Sequence, residues 1–361
     1  MKTLFFENLN SRRRYSMNIT LRRLVGVLIL NAIICMTAFA GNTNRTGTAG
    51  AQELLIPVGG SGVALGGSNA AFAIGTDAIY WNPAGLSRMT FATEAYFSHM
   101  SYIADIGVDY GAVGVNFSGV GTFAASFKSI AFGNIPVTTE DDPDGTGSTY
   151  SPTYVVAGLS YSRLLSDRIS VGANFNLVSE TIMSTSATGF SLDAGVQYNG
   201  LIVPELKLGV VVKNLGPNMT YSGSNLYHQQ AGVGSSGWYS NVAASFELPS
   251  QMEVALAYDK KLDEMNDVSV FGDFENNNYS SDVYKVGLQY AFDNLIFVRG
   301  GYNFAPQAPK DETGQSAQIY DWSLGAGLNY NFGGVNITFD YAYRHVVLLT
   351  PNNVFTVKLG F

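Results

Sequence analysis

The stretch RISVGANFNLVSE, residues 168–180, indicates which kind of fold this chain adopts. Every second position is apolar, and small or polar residues stand between; the apolar set is Ile169, Val171, Ala173, Phe175 and Leu177. A period of two with one apolar face is typical of a β-strand. The same alternation recurs in FSLDAGVQYN (190–199), YDWSLGAGLNYN (320–331) and VNITFDYAYRHV (335–346). The chain is therefore predicted to consist largely of strands with one apolar face.

Fourteen strands can be counted, and the connections between them differ systematically in length. The predicted strands are residues 91–100, 107–118, 121–132, 153–164, 168–181, 187–199, 205–215, 241–260, 267–275, 282–292, 295–304, 319–331, 334–345 and 353–361. Brief connections follow even-numbered strands, whereas the long ones, residues 133–152, 216–240 and 305–318, follow odd-numbered strands. Short turns on one side and long loops on the other favour an antiparallel outer-membrane β-barrel over a soluble sandwich. Residues 241–260 are kept as one strand, although Pro249 could divide them.

Composition favours the same class. The chain has 40 glycines, 21 tyrosines and 22 phenylalanines, and only 13% of its residues are charged, whereas roughly a quarter is usual in soluble domains. Past residue 40 no stretch provides the roughly 20 unbroken apolar residues of a transmembrane helix. Strands are therefore the expected means of crossing a membrane.

The first forty residues are predicted to be a cleaved signal peptide. Five arginines precede the apolar run of residues 24–36, and TAFAG supplies the small residues that a signal peptidase requires. Translation could start at Met1 or at Met17. Cys35 is the only cysteine and lies in this segment, so no disulfide is expected. Removing it leaves 14 basic and 27 acidic residues, a formal net charge of −13, which argues against nucleic-acid partners.

Catalytic and cofactor motifs are absent from the sequence, so we predict that the protein is not an enzyme and holds no cofactor or metal. The glycine-rich stretch VGGSGVALGGS lacks the Gly-Lys-Ser/Thr of a phosphate loop. The acidic loop at residues 140–151 matches part of a calcium loop, but its twelfth position is Ser151 rather than glutamate, so a solvated loop is favoured.

Alternation places charges of both signs on the inward faces of the predicted strands. This candidate lumen network comprises Lys207, Lys213, Glu253, Asp259, Asp273, Lys285, Arg299, Asp321, Asp340 and Arg344. Such residues can form a salt-bridged, hydrated lumen or line a ligand path, and the sequence leaves both possibilities open.

The N-terminal stretch VALGGSNAAFAIGTDAIYWNPAGLSRM, residues 63–89, resembles the inward-folded hatch of barrels similar to the fatty-acid transporter FadL, whose hatch carries an Asn-Pro-Ala motif. The resemblance is closer to the PorV/PorQ family of the type IX secretion system, and it extends through VTTEDDPDGTG, LSYSRLLSDRISVGANFNLVSE, ATGFSLDAGVQY and KNLGPNM. It implies a 14-stranded barrel over residues 91–361 with residues 41–90 as an N-terminal hatch in the lumen.

The last strand resembles the signal by which the barrel-assembly machinery recognises its substrates. Four apolar residues share one face and end on a terminal aromatic: Phe355, Val357, Leu359 and Phe361. Together with the signal peptide, this implies a monomeric barrel in the lipid of a Gram-negative outer membrane.

The motif Trp81, Asn82, Pro83, Ala84 and Gly85 is predicted to be the hinge between hatch and barrel. Proline fixes its own φ and disfavours helix at the preceding residue, and the glycine permits a turn toward the first strand. Two functions fit the resemblance. The first is binding of secreted cargo or type IX secretion partners by the long loops. The alternative is passage of fatty acids or other hydrophobic compounds past the hatch.

Overall fold

The computed structural model describes residues 45–232, 235–310, 314 and 316–361, without the side chains of residues 230–236. The predicted signal peptide lies outside these ranges. Fourteen antiparallel strands form one closed barrel, which confirms the predicted fold class. They are β1 (Thr93–Ser101), β2 (Gly107–Phe117), β3 (Gly121–Ala131), β4 (Thr153–Leu164), β5 (Ile169–Ile182), β6 (Thr185–Asn199), β7 (Leu206–Leu215), β8 (Gln251–Lys261), β9 (Asn266–Asn277), β10 (Val283–Phe292), β11 (Ile296–Phe304), β12 (Tyr320–Phe332), β13 (Val335–Val346) and β14 (Asn352–Gly360).

Each strand pairs with its neighbours in sequence, and β1 pairs with β14 to close the barrel. The closing ladder runs from Glu94 opposite Gly360 to Ser101 opposite Asn353. Phe361 extends it, because its N–H donates to the Thr93 carbonyl at 2.9 Å. No free sheet edge therefore remains at this seam, where an open strand could pair with another chain.

The alternation of the sequence becomes an apolar outer face and a largely polar inner face. Large apolar side chains are exposed on the outside of nearly every strand; they include Phe97, Val113, Phe127, Leu159, Phe175, Leu192, Leu256, Val270, Leu288, Val298, Leu324, Phe339 and Phe355. The alternate positions are buried and polar on many strands, for example Ser162, Asn174 and Gln197. Exposed apolar belts of this extent are what lipid-facing barrels carry.

The connections differ between the two ends of the barrel. Those that follow even-numbered strands are all short, and the long loops between β3 and β4, β7 and β8, and β11 and β12 lie at the other end, here called the loop end. The loop between β7 and β8 carries a hairpin of Tyr227–Gly232 with Ser235–Ser240.

The predicted strand over residues 241–260 is wrong in its first ten residues, because β8 begins only at Gln251. Pro249 has no N–H to donate to a ladder. Its carbonyl instead accepts a hydrogen bond from the Asn214 side chain at 3.1 Å. Phe246 pairs with Met219 in an isolated bridge, so residues 216–250 form one long connection and the count of fourteen is unchanged.

Residues before β1 form a chain of short helical turns rather than strands. Their bounds are Gln52–Leu55, Gly60–Ala64, Gly75–Asp77, Ala78–Trp81 and Pro83–Arg88. Hydrogen bonds to inward side chains on opposite walls show that this segment, the hatch, lies inside the lumen. Ser162 on β4 donates to the Ala84 carbonyl at 2.9 Å, and Ser323 on β12 donates to the Ala64 carbonyl at 3.0 Å. Among the described residues, no helix has the length and apolar character needed to cross a membrane.

Candidate functional site

The hatch rests on bare backbone at two places, the first of which is a patch of glycines on β5, β6 and β7. A β-carbon added at Gly172 would lie 2.3 Å from the Pro83 carbonyl oxygen, and one at Gly209 would lie 2.4 Å from the Ala70 carbonyl oxygen. Real β-carbons do not approach other atoms so closely. Glycine is thus required because hatch backbone occupies the space of a side chain.

A second glycine patch on β10, β11 and β12 receives an earlier part of the hatch. A β-carbon at Gly301 would lie 2.2 Å from the Gly66 nitrogen, and one at Gly325 would lie 2.5 Å from the Ala64 Cβ. The two patches are on different walls of the barrel. The hatch is consequently wedged between them and has no room to shift sideways.

The predicted hinge motif lies at the first glycine patch and is buried throughout. Asn82 has no exposed surface. Its Nδ2 donates to the carbonyls of Ala70 and Val196, at 2.9 and 3.1 Å, and its Oδ1 accepts from the Ala84 N–H at 3.2 Å. One side chain therefore joins two parts of the hatch to strand β6. The role of the motif as a hinge stays a prediction.

Asn82→Ala is expected to lower the free energy of unfolding by about 2–4 kcal/mol, because three buried hydrogen bonds are lost and the Ala70 carbonyl keeps only the Gln197 amide as a donor. Asn82→Asp should cost at least as much, since a carboxylate cannot donate to either carbonyl. Denaturant unfolding of the protein in detergent micelles measures both. Asn331→Ala, at an exposed position of β12, is the matched control, and equal stability of Asn82→Ala and this control would contradict the assignment.

Four of the inward charges form a buried cluster toward the loop end. Lys213 Nζ lies 2.6 Å from Glu253 Oε1, and Lys285 Nζ lies 3.4 Å from Glu253 Oε2. Lys285 also forms an ion pair with Glu275. Glu275 was not among the predicted lumen charges, although it lies two positions after Asp273 on β9 and so shares its inward face. Lys213 sits over the Tyr80 ring of the hatch, 4.8 Å from its centroid. The cluster therefore links the four neighbouring strands β7 to β10 to the hatch.

Asp273 stands opposite Lys285 in the pairing of β9 with β10, beside this cluster, whereas other predicted lumen charges form separate pairs. Arg299 on β11 and Asp340 on β13 form an ion pair at 2.5 Å. Lys207 and Asp259 form another at 3.6 Å, at the short-turn end of the barrel. Asp273 is buried and neither carboxylate oxygen has a hydrogen-bond partner. The predicted network is thus several separate groups.

The placement of Asp321 in the lumen is a wrong prediction. The register between β12 and β13 shifts between Tyr320 and Ser323, so two residues of β12 stand opposite the single residue His345. Such a β-bulge breaks strict alternation. Asp321 Oδ1 consequently lies 2.7 Å from His345 Nδ1, and Trp322 stacks on the His345 ring. Tyr320 points inward instead, where Arg344 lies 3.4 Å from the centroid of its ring.

A cavity of about 590 Å³ lies between the hatch and the loop end. The hatch contributes Tyr80 and Trp81 to its floor. Aromatic side chains next to the loops line part of its wall; they are Tyr102, Phe132, Tyr154, Tyr279 and Tyr320. The charged cluster and Arg344 also border it. Its size falls within the range of small-molecule binding sites.

A buried carboxyl of the hatch lies beside this cavity. Glu53 is 2% exposed and neither of its carboxyl oxygens has a hydrogen-bond partner. Burial, reinforced by the carboxylate of Glu180 on β5, raises the pKa of the Glu53 carboxyl to about 8. Glu180 also accepts a hydrogen bond from Tyr221, and Lys128 on β3 donates to the Glu53 carbonyl at 2.8 Å. The docked hatch therefore favours protonated Glu53.

Raising the pH is expected to weaken hatch docking through Glu53. Its pKa rises from 4.5 to about 8 on folding, so its stabilising effect is complete below pH 4.5 and is lost as the pH rises through 8. We expect Glu53→Gln to reduce the fall in unfolding free energy between pH 5 and 8.5 by about 3–4 kcal/mol. Glu264→Gln, at an exposed turn, is the control. Parallel pH curves for wild type and Glu53→Gln would contradict this expectation.

Metal binding has no structural support among the described residues, which contain no group of three or more His, Cys, Asp or Glu side chains placed to hold an ion. The acidic loop at residues 140–151 is exposed over most of its length. His99 pairs with Asp109 at 2.7 Å and His345 pairs with Asp321, away from the cavity.

The closed barrel, apolar outer face and filled lumen define the class as a plugged β-barrel of the membrane-spanning type. No protein-family model and no curated protein sequence matches the chain. Solved structures do match. The toluene transporter TbuX of Ralstonia pickettii has a TM-score of 0.54 at 14% identity, covering 84% of this chain and 98% of that one.

Two further solved structures have the same architecture. The toluene transporter TodX of Pseudomonas putida has a TM-score of 0.51 at 14% identity, covering 82% of this chain and 95% of that one. The monoaromatic hydrocarbon channel CymD has a TM-score of 0.51 at 14% identity, covering 84% and 97%. At such low identity the likeness shows that the chain shares their fold.

Proposed function

We propose that the protein is an outer-membrane channel that takes up small hydrophobic ring compounds through a hatch-closed lumen. The observation that carries the proposal is the aromatic-walled cavity of about 590 Å³ above the hatch. An aromatic wall gives a ring compound apolar contact and favourable edge-to-face or stacked geometry. The shared fold of solved transporters and channels for aromatic hydrocarbons supports this role.

The hatch supplies the closure that such a channel needs. It contacts two walls through the glycine patches, so a compound in the cavity cannot pass farther while the hatch is docked. Passage therefore requires a local displacement of the hatch, and the rest of the barrel can stay rigid because its ladders are continuous.

The same features favour uptake over the secretion role that the sequence analysis placed first. Cargo binding would involve only the long loops and does not account for the cavity above the hatch. Solved structures that share the fold are described as transporters or channels for small molecules.

Uptake by intact cells tests the proposal. Expression in a Gram-negative host is expected to raise the initial rate of biphenyl uptake several-fold over empty-vector cells. Ala308→Trp places a bulky ring at the cavity wall and should return the rate to the vector level. Ala131→Trp, at an exposed position of β3, should retain it. An uptake rate equal to the vector control at matched surface expression would refute the proposal.

A further inference from the structure

A second, smaller cavity lies deeper in the barrel than the first. It has a volume of about 40 Å³ and is lined by Leu54 and Ile79 of the hatch and by residues of strands β2 to β7. On β3 the large cavity meets Ile130, whereas the small one meets Ser126 and Lys128, which are nearer the short-turn end. The small cavity therefore continues the large one between hatch and wall, in the direction that a compound entering from the loop end would travel.

The side chain of Tyr80 separates the two cavities. Tyr80 and Lys213 line both of them. Two lysines lie over the Tyr80 ring, with Lys128 Nζ 5.0 Å and Lys213 Nζ 4.8 Å from its centroid. The Tyr80 hydroxyl donates a hydrogen bond to the Leu55 carbonyl at 3.0 Å. The ring of Tyr80 and the side chain of Lys213 thus form a partition between the large cavity and the small one.

Tyr80 is the member of this partition that can move. It is half-buried, whereas Lys213 is 5% exposed and its Nζ lies 2.6 Å from Glu253 Oε1. The adjacent Trp81 is confined, because a β-carbon added at Gly62 would lie 2.3 Å from its ring. The large cavity gives the Tyr80 ring space to rotate into, and rotation breaks one hydrogen bond and two cation–π contacts. The hatch backbone can stay in place during this rotation.

We infer from this geometry that Tyr80 is a gate between the two cavities, and that its rotation is the first local displacement of the hatch when a compound moves inward. The inference rests on the proposed function and names the side chain that controls entry into the small cavity. Rotation of one ring breaks fewer contacts than displacement of the hatch backbone, which also breaks the three hydrogen bonds of Asn82 and the bonds of Ser162 and Ser323 to hatch carbonyls.

Movement beyond the small cavity still requires the hatch backbone to shift. Ile79 lines this cavity, and its carbonyl accepts a hydrogen bond from Asn174 on β5 at 2.7 Å. The first glycine patch holds Ala70 and Pro83 on the same side of the barrel. Tyr80 and the docked backbone therefore act in series, the ring first and the backbone second.

Access of a small thiol reagent to the inner cavity tests the gate independently of uptake. In a Cys35→Ser background, which removes the only native cysteine, Ser126→Cys places a thiol at the small cavity and Ala308→Cys places one at the large cavity. The folded full-length protein in micelles is treated with methyl methanethiosulfonate, and intact mass gives the reaction rates. We expect Ala308→Cys to react at least tenfold faster than Ser126→Cys. Adding Tyr80→Ala should raise the Ser126→Cys rate at least tenfold and leave the Ala308→Cys rate unchanged.

Tyr102→Ala is the matched control, because Tyr102 lines the large cavity and not the small one; it should leave the Ser126→Cys rate unchanged. Tyr80→Phe removes only the hydroxyl and should raise that rate about two- to tenfold, the effect of one net hydrogen bond. If Tyr80→Ala does not fold, the rate with Tyr80→Phe decides in its place. A Ser126→Cys rate that Tyr80→Ala does not change, or that Tyr102→Ala raises equally, would overturn the gate. Biphenyl uptake at the vector level would refute the proposed function, whatever these rates are.

Discussion

Gly172→Ala and Gly301→Ala, combined in one protein, are expected to release the hatch and to lower the unfolding free energy by several kcal/mol. Each added methyl group would meet hatch backbone, at 2.3 Å from the Pro83 carbonyl oxygen and at 2.2 Å from the Gly66 nitrogen. Overpacking of a filled interior costs about 1–3 kcal/mol per site. Backbone atoms cannot move away as the end of a flexible side chain can, so we expect a cost in the upper part of that range at both substitution sites.

Thermal unfolding in micelles measures the loss, and limited proteolysis reports whether residues 45–92 have left the lumen. Gly272→Ala on β9 is the matched control, because a β-carbon there meets no atom within 4 Å. We expect the control to unfold as the wild type does and to keep its hatch protected. A double variant as stable and as protease-resistant as this control would show that the hatch does not rest on the glycine patches.

Glu253→Leu is expected to destabilise the barrel by about 3–5 kcal/mol, because it leaves the buried ammonium group of Lys213 without a carboxylate partner. Glu253 is fully buried and Lys213 has no other carboxylate partner among the described residues. Adding Lys213→Met should recover most of the loss, since Lys285 keeps its ion pair with Glu275. The comparison of single and double variants isolates the interaction between the two side chains.

Asp259→Leu provides the contrast for this prediction. Its pair with Lys207 is partly exposed, so removal should cost less than about 1 kcal/mol. If Glu253→Leu costs no more than Asp259→Leu, or if Lys213→Met fails to restore stability, the cluster is not a coupled buried group.

The strands could be predicted from sequence because each exposes one apolar face and one polar face to different surroundings. In Ile169–Ile182 the period of two runs from Ile169 to Leu177, and the predicted strand agrees with the observed one to within one residue at either end. The alternation fails where a local feature breaks the period. The bulge at Asp321 carries no signal in the sequence, because an unbroken period of two places Asp321 on the polar inward face and Trp322 on the apolar outward face.

The site was less predictable than the barrel because it depends on contacts between distant parts of the chain. Gly172 and Gly301 look like any strand glycine until the hatch is placed against them. Asn82 could be recognised as a turn-former, but its bond to the Val196 carbonyl spans 114 positions. Glu275 could have been found, because its parity on β9 matches that of Asp273. Glu53 lies in a helical turn, where the alternation of strands gives no information.

Under the proposed function, ring compounds pass only when the hatch moves, and a reversible cross-link tests this directly. Thr76 lies between Ala70 and Pro83, the hatch residues that meet the first glycine patch, and a β-carbon at Gly114 of β2 would lie 3.1 Å from Thr76 Cγ2. That spacing suits a disulfide between Thr76→Cys and Gly114→Cys. The only native cysteine, Cys35, lies in the predicted signal peptide.

We expect oxidised cells to take up biphenyl at the empty-vector rate, and reduction to restore uptake. Unchanged uptake with the cross-link fully formed would contradict the account.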